Sequence, residues 1–415
     1  MALPSDRTEI NKDNSIENEE SNKQFKDNNF PNRIVIKVNK SSYIITTMQS
    51  LAQIKSFSTY FINKKIAQTD GKIDSSFKDY MENLWSDEKE NFVPKEFMIK
   101  LVEITKSKNM ITQELEPYFF YDYILKKLGD ELKGRDKEIK NYFTDFANKY
   151  KNYEDKKLEE YIKRYIKKNN SIVSKTFYGI MKISSCCDLC SEEEKEDYIY
   201  FNIIDININD FCNEMHLKGN SLTNFSVEEL IDYYFGERIM DRKVERKDKI
   251  KDNPKETKCP KCQKECGIRI EKKIIELPNY LVIRINWGDF VGNKGFNCKK
   301  DYVIPSYEYL DVDETIKIKE DYFNYIAFND NKKIEDSVEF HLISTIGYFI
   351  YNNKNDINDR NNNKLVFISK YRAKEEGKWI SFWCNNKTKE NLSYTDNFTT
   401  PCLLFYEKNL INKNY

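Results

Sequence analysis

Residues 187–190 read CDLC and residues 259–266 read CPKCQKEC. Two residues between a pair of cysteines let one tight turn aim both sulfurs at the same point, the geometry that a tetrahedral zinc ion requires. Cys187 and Cys190 form one such pair, and Cys259 and Cys262 form the other. Strand-like sequence lies beside each, as expected for knuckles at the ends of two hairpins. Cys186 and Cys266 stand next to the pairs as spare thiols. The plain alternative is a set of buried thiols with no ion. Four thiolates fill a tetrahedral shell and leave no position for water, so zinc held there is structural rather than catalytic. The pairs then brace a fold whose working part lies elsewhere.

Composition narrows the class. Hydrophobic residues make up 39% of the 415, enough to bury a sizeable core, and Gly and Pro are scarce. Lys plus Arg equals Asp plus Glu at 68 each, so no net field draws the chain to nucleic acid or an anionic bilayer, and neither is an expected partner. No run of about 18 apolar residues predicts a membrane span. The first residues, MALPSDRTEINKDNSIENEESNKQFKDNN, lack the apolar stretch of a signal peptide. Ten cysteines without a secretory signal point to a reducing, intracellular setting, cytoplasm or nucleus.

Residues 1–30 lack apolar periodicity and are expected to be a disordered polar tail. Met48, Leu51, Ile54, Phe57 and Phe61 recur at helical spacing and predict one amphipathic helix after a short apolar strand or loop. SSFKDYMENLW, PKEFMIKLVEITKS and PYFFYDYILKKLGDELKG predict further helices, the last stopping near Gly134. Residues 135–168 are rich in Lys and Tyr and predict a helical pair burying Phe143, Phe146, Tyr150, Leu158, Tyr161 and Tyr165. A basic aromatic surface for nucleic acid is the alternative there, opposed by the acids mixed through the segment.

From about residue 170 the pattern turns to alternation. SIVSKTFYGIMKISSC, DYIYFNIIDININD, GIRIEKKIIELPNYLVIRINW, FHLISTIGYFIYN, KLVFISKY, KWISFW and PCLLFYEK all predict strands. Helices first and strands later, without regular alternation, predict an α+β fold with an antiparallel sheet. The Asn-rich residues 352–363 read as an exposed loop, and GDFVGNKG at 288–295 reads as a turn. Cys212 and His216 make a lone C-x3-H pair, too little for a metal site.

Taken in order from about residue 34 to 407, these segments resemble the ubiquitin-specific proteases: a helical part, SIVSKTFYGIMKISSCCDLC, CPKC, KKIIELPNYLVIRI, KWISFW and PCLLFYEK. The resemblance implies one papain-like domain over residues 31–415. Within it the family pattern sets a helical thumb at 31–170, zinc-ribbon fingers at 171–275 and an antiparallel β palm at 276–415. The family's nucleophile box, G-N-T-C-Y-M-N-S-x-L-Q-x-L, matches NKSSYIITTMQSL at residues 39–51, keeping Tyr43, Gln49 and Leu51. Ser42 stands at the nucleophile position and Lys40 at the oxyanion position. The G-H-Y strand matches KLVFISKY, with Leu365 at the base position. The acid after W-x-x-F falls on Trp383 or Cys384, and the acidic box becomes ELEPYFF, with Glu116 its nearest acid.

A serine attacks only when a base takes its proton, and Leu365 cannot. Lys40 lies just two residues before Ser42, and the two histidines, His216 and His341, fall away from the base position. The resemblance thus implies a pseudoenzyme with a structural zinc and no catalytic residue. Its implied partner is ubiquitin, a ubiquitinated protein or a multiprotein complex. Two alternatives stay open. One is a residual deubiquitinating hydrolase; the other is a scaffold subunit that no longer binds ubiquitin and docks through residues 135–168.

Overall fold

The structure is a computed structural model that describes residues 35, 41–63, 72–86, 91–106, 115–151, 153–217, 224–241, 258–287, 310–324, 337–352, 363–372, 379–383, 386–389 and 400–409. The polar tail, Lys40, Cys384, the 288–295 turn and the centre of the Asn-rich loop lie outside the described residues.

Helices dominate the first half: α1 (Ser42–Ala52), α2 (Lys55–Asn63), α3 (Asp74–Trp85), α4 (Lys95–Thr105), α5 (Pro117–Leu132), α6 (Lys137–Lys149), α7 (Lys156–Asn169) and α8 (Ile172–Phe177). Pro117 opens α5 at a position where its missing N–H costs nothing. Gly134, at φ +65°, takes the left-handed turn that ends it. Asp136 and Asp155 cap α6 and α7 by accepting backbone N–H groups. These last two helices are the expected pair, burying Phe143, Leu158 and Tyr165.

Two segments depart from the sequence pattern. The single helix expected over Met48–Phe61 is two, because the chain tightens at Gln53 and Ile54, whose N–H groups donate to Ser50 O and Leu51 O. The Ser58 hydroxyl then donates to Ala52 O at 2.8 Å, satisfying a carbonyl freed by the break. Residues 172–177, expected as strand, form α8, started by Ser171 Oγ accepting from Ser174 N–H.

The second half is mostly strand: β1 (Gly179–Cys187), β2 (Glu193–Phe201), β3 (Ile204–Asn207), β4 (Phe225–Ser226), β5 (Arg238–Asp241), β6 (Gly267–Glu276), β7 (Tyr280–Asn286), β8 (Leu310–Asp311), β9 (Thr315–Lys319), β10 (Ser337–Asn352), β11 (Asn363–Arg372), β12 (Trp379–Trp383), β13 (Asn386–Lys389) and β14 (Thr400–Lys408). Two helices interrupt it, α9 (Ile208–Leu217) and α10 (Val227–Phe235). The apolar alternation through ININD therefore ends in a helix, where Asn207 Oδ1 accepts from Asn209 and Asp210 N–H. One four-stranded sheet runs β2-β1-β6-β5; an eight-stranded sheet runs β13-β12-β11-β10-β14-β7-β3, with β9 also on β10. Pairing is antiparallel except for β3 on β7 and β4 on β8, so the expected antiparallel arrangement is relieved at two places.

One apolar core joins both halves. Phe57 meets Phe61, Phe77 and Phe177 edge-on, and Tyr121 bridges Phe177 and Phe405 of β14. Tyr121 also donates its hydroxyl to Asn202 O at 3.0 Å. The entry to the four-stranded sheet depends on a glycine: Gly179 pairs across from Phe201, whose ring lies over it. An added Cβ would collide with that ring and come 2.7 Å from Glu276 O. Gly179→Ala is therefore expected to destabilise the protein by about 2 kcal/mol, read from the denaturant midpoint.

Candidate functional site

The two cysteine knuckles are built as the same turn. In the first, Ser191 N–H donates to Cys187 O at 2.9 Å and Cys187 N–H donates to Glu192 O at 3.0 Å. In the second, Gln263 N–H donates to Cys259 O at 2.9 Å and Cys259 N–H donates to Lys264 O at 3.0 Å. The residue after each second cysteine is left-handed, Ser191 at φ 55° and Gln263 at φ 59°. β1 delivers the first turn and β6 departs from the second, and their antiparallel pairing sets the turns side by side.

This brings all four Sγ atoms within 4.8 Å of one another. Cys187 lies 3.9 Å from Cys262, and Cys190 lies 3.7 Å from Cys259. Metal–sulfur bonds of about 2.3 Å in a tetrahedron need sulfurs roughly 3.8 Å apart, so the set fits zinc in both ligand type and spacing. Backbone N–H groups, that of Cys190 first, hold the Cys187 thiol down at about 6. For Cys190, the Glu192 N–H pulls downward, but desolvation and the facing sulfurs outweigh it and push it to about 12. Gathering four thiolates is thus opposed by their own repulsion, which a divalent cation would offset. Cys266 Sγ approaches Cys187 to 3.4 Å and, with Asp188, makes an overlapping group. Cys186 joins neither group, because neighbouring residues of a strand point to opposite faces. Cys212 belongs to no group of three or more ligands among the described residues.

The positions matched to the family's catalytic residues lie on α1, β11 and β12, of which α1 packs on β11 and β11 pairs with β12. Ser42 is the first residue of α1, is fully buried, and has its carbonyl bonded by the Thr46 hydroxyl at 2.9 Å. Helix α1 packs against β11, the strand that carries Leu365 opposite Ile350. Trp383 ends β12, the next strand, opposite Asn386. His341 sits on β10, with Nδ1 3.0 Å from the Thr315 hydroxyl and Nε2 3.2 Å from a Glu339 carboxylate oxygen.

Glu116 precedes α5 and is buried. Arg284 of β7 grips it with two parallel bonds, Nε to Oε1 at 2.8 Å and Nη2 to Oε2 at 2.7 Å. Its remaining arm donates to Asp205 at 2.8 Å, and its plane lies 4.2 Å from the Tyr118 ring centre. Burial raises the Glu116 carboxyl above its ordinary range while Arg284 pulls it back. For the guanidinium, burial acts downward and is outweighed by Glu116 and Asp205, so it stays charged. The sequence pattern identified Glu116 and overlooked Arg284. Its signal was a single charge inside the apolar strand YLVIRIN.

A helical part running into a brace of paired cysteines and then a β-rich part defines a papain-like peptidase fold, and the sequence agrees. It matches the family described as ubiquitin carboxyl-terminal hydrolase over residues 36–406, and the chain belongs to that family. The fold is similar to that of the SAGA Ubp8/Sgf11/Sus1/Sgf73 DUB module bound to ubiquitin aldehyde, with a TM-score of 0.56 and 14% identity over 91% of this chain and 69% of that one. A yeast SAGA DUB module with an Sgf73 point mutant matches at TM-score 0.55 and 13% identity, covering 91% and 68% of the two chains. A Ubp8-variant module bound to monoubiquitin matches at 0.53 and 14%, covering 91% and 69%. No curated protein matches the chain. None of the helices among the described residues is long and apolar enough to cross a membrane.

Removing Glu116 leaves Arg284 charged in a buried site with Asp205 alone. Glu116→Ala should cost about 3 kcal/mol of stability in a denaturant melt, and Glu116→Gln, which keeps an acceptor, clearly less.

Proposed function

We propose that this chain is a ubiquitin-binding member of its family that does not hydrolyse ubiquitin conjugates. The observation that carries this reading is the pairing of α1 with β11. In the family, that helix and strand bring a thiol to an imidazole; here they carry Ser42 and Leu365. A hydroxyl titrates far above neutrality and attacks only as its proton is removed. An alkyl side chain accepts no proton. His341 is engaged by Thr315 and Glu339 on another part of the sheet, which supports its having no part in such a relay. The remaining family positions, Lys40 and Trp383, supply neither an amide donor nor an acid.

The brace supports the same reading. Cys187, Cys190, Cys259 and Cys262 would hold one zinc ion in a closed four-sulfur shell. Such an ion pins the ends of β1 and β6 and contributes no reaction step. Binding of ubiquitin is supported by the neighbouring modules, described with ubiquitin aldehyde and with monoubiquitin. A binding surface of the whole domain does not require a working nucleophile. Glu116 already answers to Arg284, so ubiquitin recognition would rest on surfaces other than that carboxylate.

Two measurements test these statements. Isotope-labelled ubiquitin titrated with the protein should show shifted NMR resonances, while a fluorogenic ubiquitin C-terminal amide should turn over only at background. Turnover above background that Ser42→Ala abolishes would establish the hydrolase instead. Absent shifts at high protein concentration would leave the scaffold reading that docks through residues 135–168. For the brace, Cys187→Ser with Cys259→Ser should remove about one zinc per chain and lower the melting temperature. Unchanged metal content would rule out this ligand set.

A further inference from the structure

The two faces of the β2-β1-β6-β5 sheet treat charge differently. On one face Lys182 pairs with Glu196 at 2.6 Å, Lys273 with Glu271 at 3.1 Å and Arg269 with Glu237 at 3.0 Å. On the other, β6 presents Ile270, Lys272 and Ile274, and β1 sets Met181 and Ile183 beside them, Ile183 directly opposite Lys272. Lys272 is thus an amine set among apolar neighbours, with Arg238 and the Lys195–Asp197 pair farther out on the same face. Its nitrogen lies 3.5 Å from the ring centre of Tyr234 on α10. No carboxylate among the described residues pairs with it.

The charged groups around that face are otherwise engaged or of the wrong sign. Asp197 of β2 pairs with Lys195 at 2.7 Å, and Asp232 of α10 serves Lys319 and the Tyr322 hydroxyl at 2.5 and 2.6 Å. Arg238 of β5 stands opposite Ile270 and donates to Tyr233 O, adding positive charge next to Lys272. The ammonium form therefore loses water and gains a like-charged neighbour, with one aromatic face in return. Burial first and Arg238 second bring the amine down to about 8. The side chain remains partly exposed, so a small reagent can reach it.

We propose that Lys272 is a modification site, a nucleophilic lysine that takes acyl groups from activated donors such as acyl phosphates or thioesters. The neutral amine attacks the donor carbonyl and a carbon–nitrogen bond forms. The carbon–oxygen or carbon–sulfur bond breaks with its electron pair on phosphate or thiolate, and the amine proton passes to solvent. The product is a neutral amide, which removes the uncompensated charge from the apolar face. Acylation is thereby favoured at this residue and at none of the ion-paired lysines on the opposite face.

The test treats the intact protein with limiting acetyl phosphate across a pH series and follows each lysine by peptide mass spectrometry. Near neutral pH a lysine at about 8 carries about two- to three-hundredfold more neutral amine than one at the ordinary value. After allowance for its partial burial, Lys272 should label about tenfold faster than the exposed Lys157 and Lys167. Its rate should level off above about pH 8. Arg238→Gln should shift the levelling point upward and slow labelling at neutral pH. Equal rates for all three lysines, or a Lys272 rate that keeps climbing well above pH 8, would overturn the proposal.

Discussion

Helix α1 has no solvent side. Every residue from Ser42 to Ala52 is buried, although Ser42, Thr46, Thr47, Gln49 and Ser50 carry polar side chains. A buried polar group left alone costs about 1–3 kcal/mol, so such a helix persists only where its surroundings supply partners. Thr46 and Thr47 turn their hydroxyls back to carbonyls one turn earlier, at 2.9 and 2.7 Å. Ser50 meets Ser344 of β10 at 2.8 Å, and Ser344 donates to Lys370 O of β11 at 3.0 Å. The Gln49 amide has no partner among the described residues. Packing of α5 on one side and β10 with β11 on the other encloses this polar helix. The arrangement of the two halves follows from that enclosure.

The brace, in contrast, is local in design. Two copies of one turn, each with a left-handed residue that is not glycine, aim their sulfurs at a shared centre. The β1–β6 register then decides which copies meet. Catalytic chemistry in this family requires a different kind of order, in which groups from α1, β11 and β12 converge with the right proton affinities. Among the described residues, α1 packs on β11 and β11 pairs with β12.

Much of this was legible in the sequence, for identifiable reasons. The helices at 74–85, 95–105 and 117–132 announce themselves by apolar spacing, and the aromatic pair at 137–149 and 156–169 by spacing together with aspartate caps. The cysteine pairs are legible because ligand spacing is a local property. What escaped depends on contacts distant in the chain. The break at Gln53 is fixed by Ser58 reaching back to Ala52, which spacing alone does not reveal. Residues 172–177 alternate like a strand but lie as a helix against α2 and α5, where burial overrides the pattern. The Glu116–Arg284 pair spans 168 positions, and only the oddity of one arginine among apolar neighbours hinted at it. The choice between Cys262 and Cys266 as neighbours of Cys187 likewise rests on how the second turn closes.

The Ser50–Ser344 contact joins positions 294 residues apart. A chain emerging from the ribosome releases α1 well before β10 and β11. Throughout that interval the nascent helix lacks the strand side of its enclosure, and contacts of such long range form slowly. A helix with no solvent side in the finished protein thus waits for a partner made 294 residues later. A folding chaperone that shelters the growing chain would have its main client surface at α1.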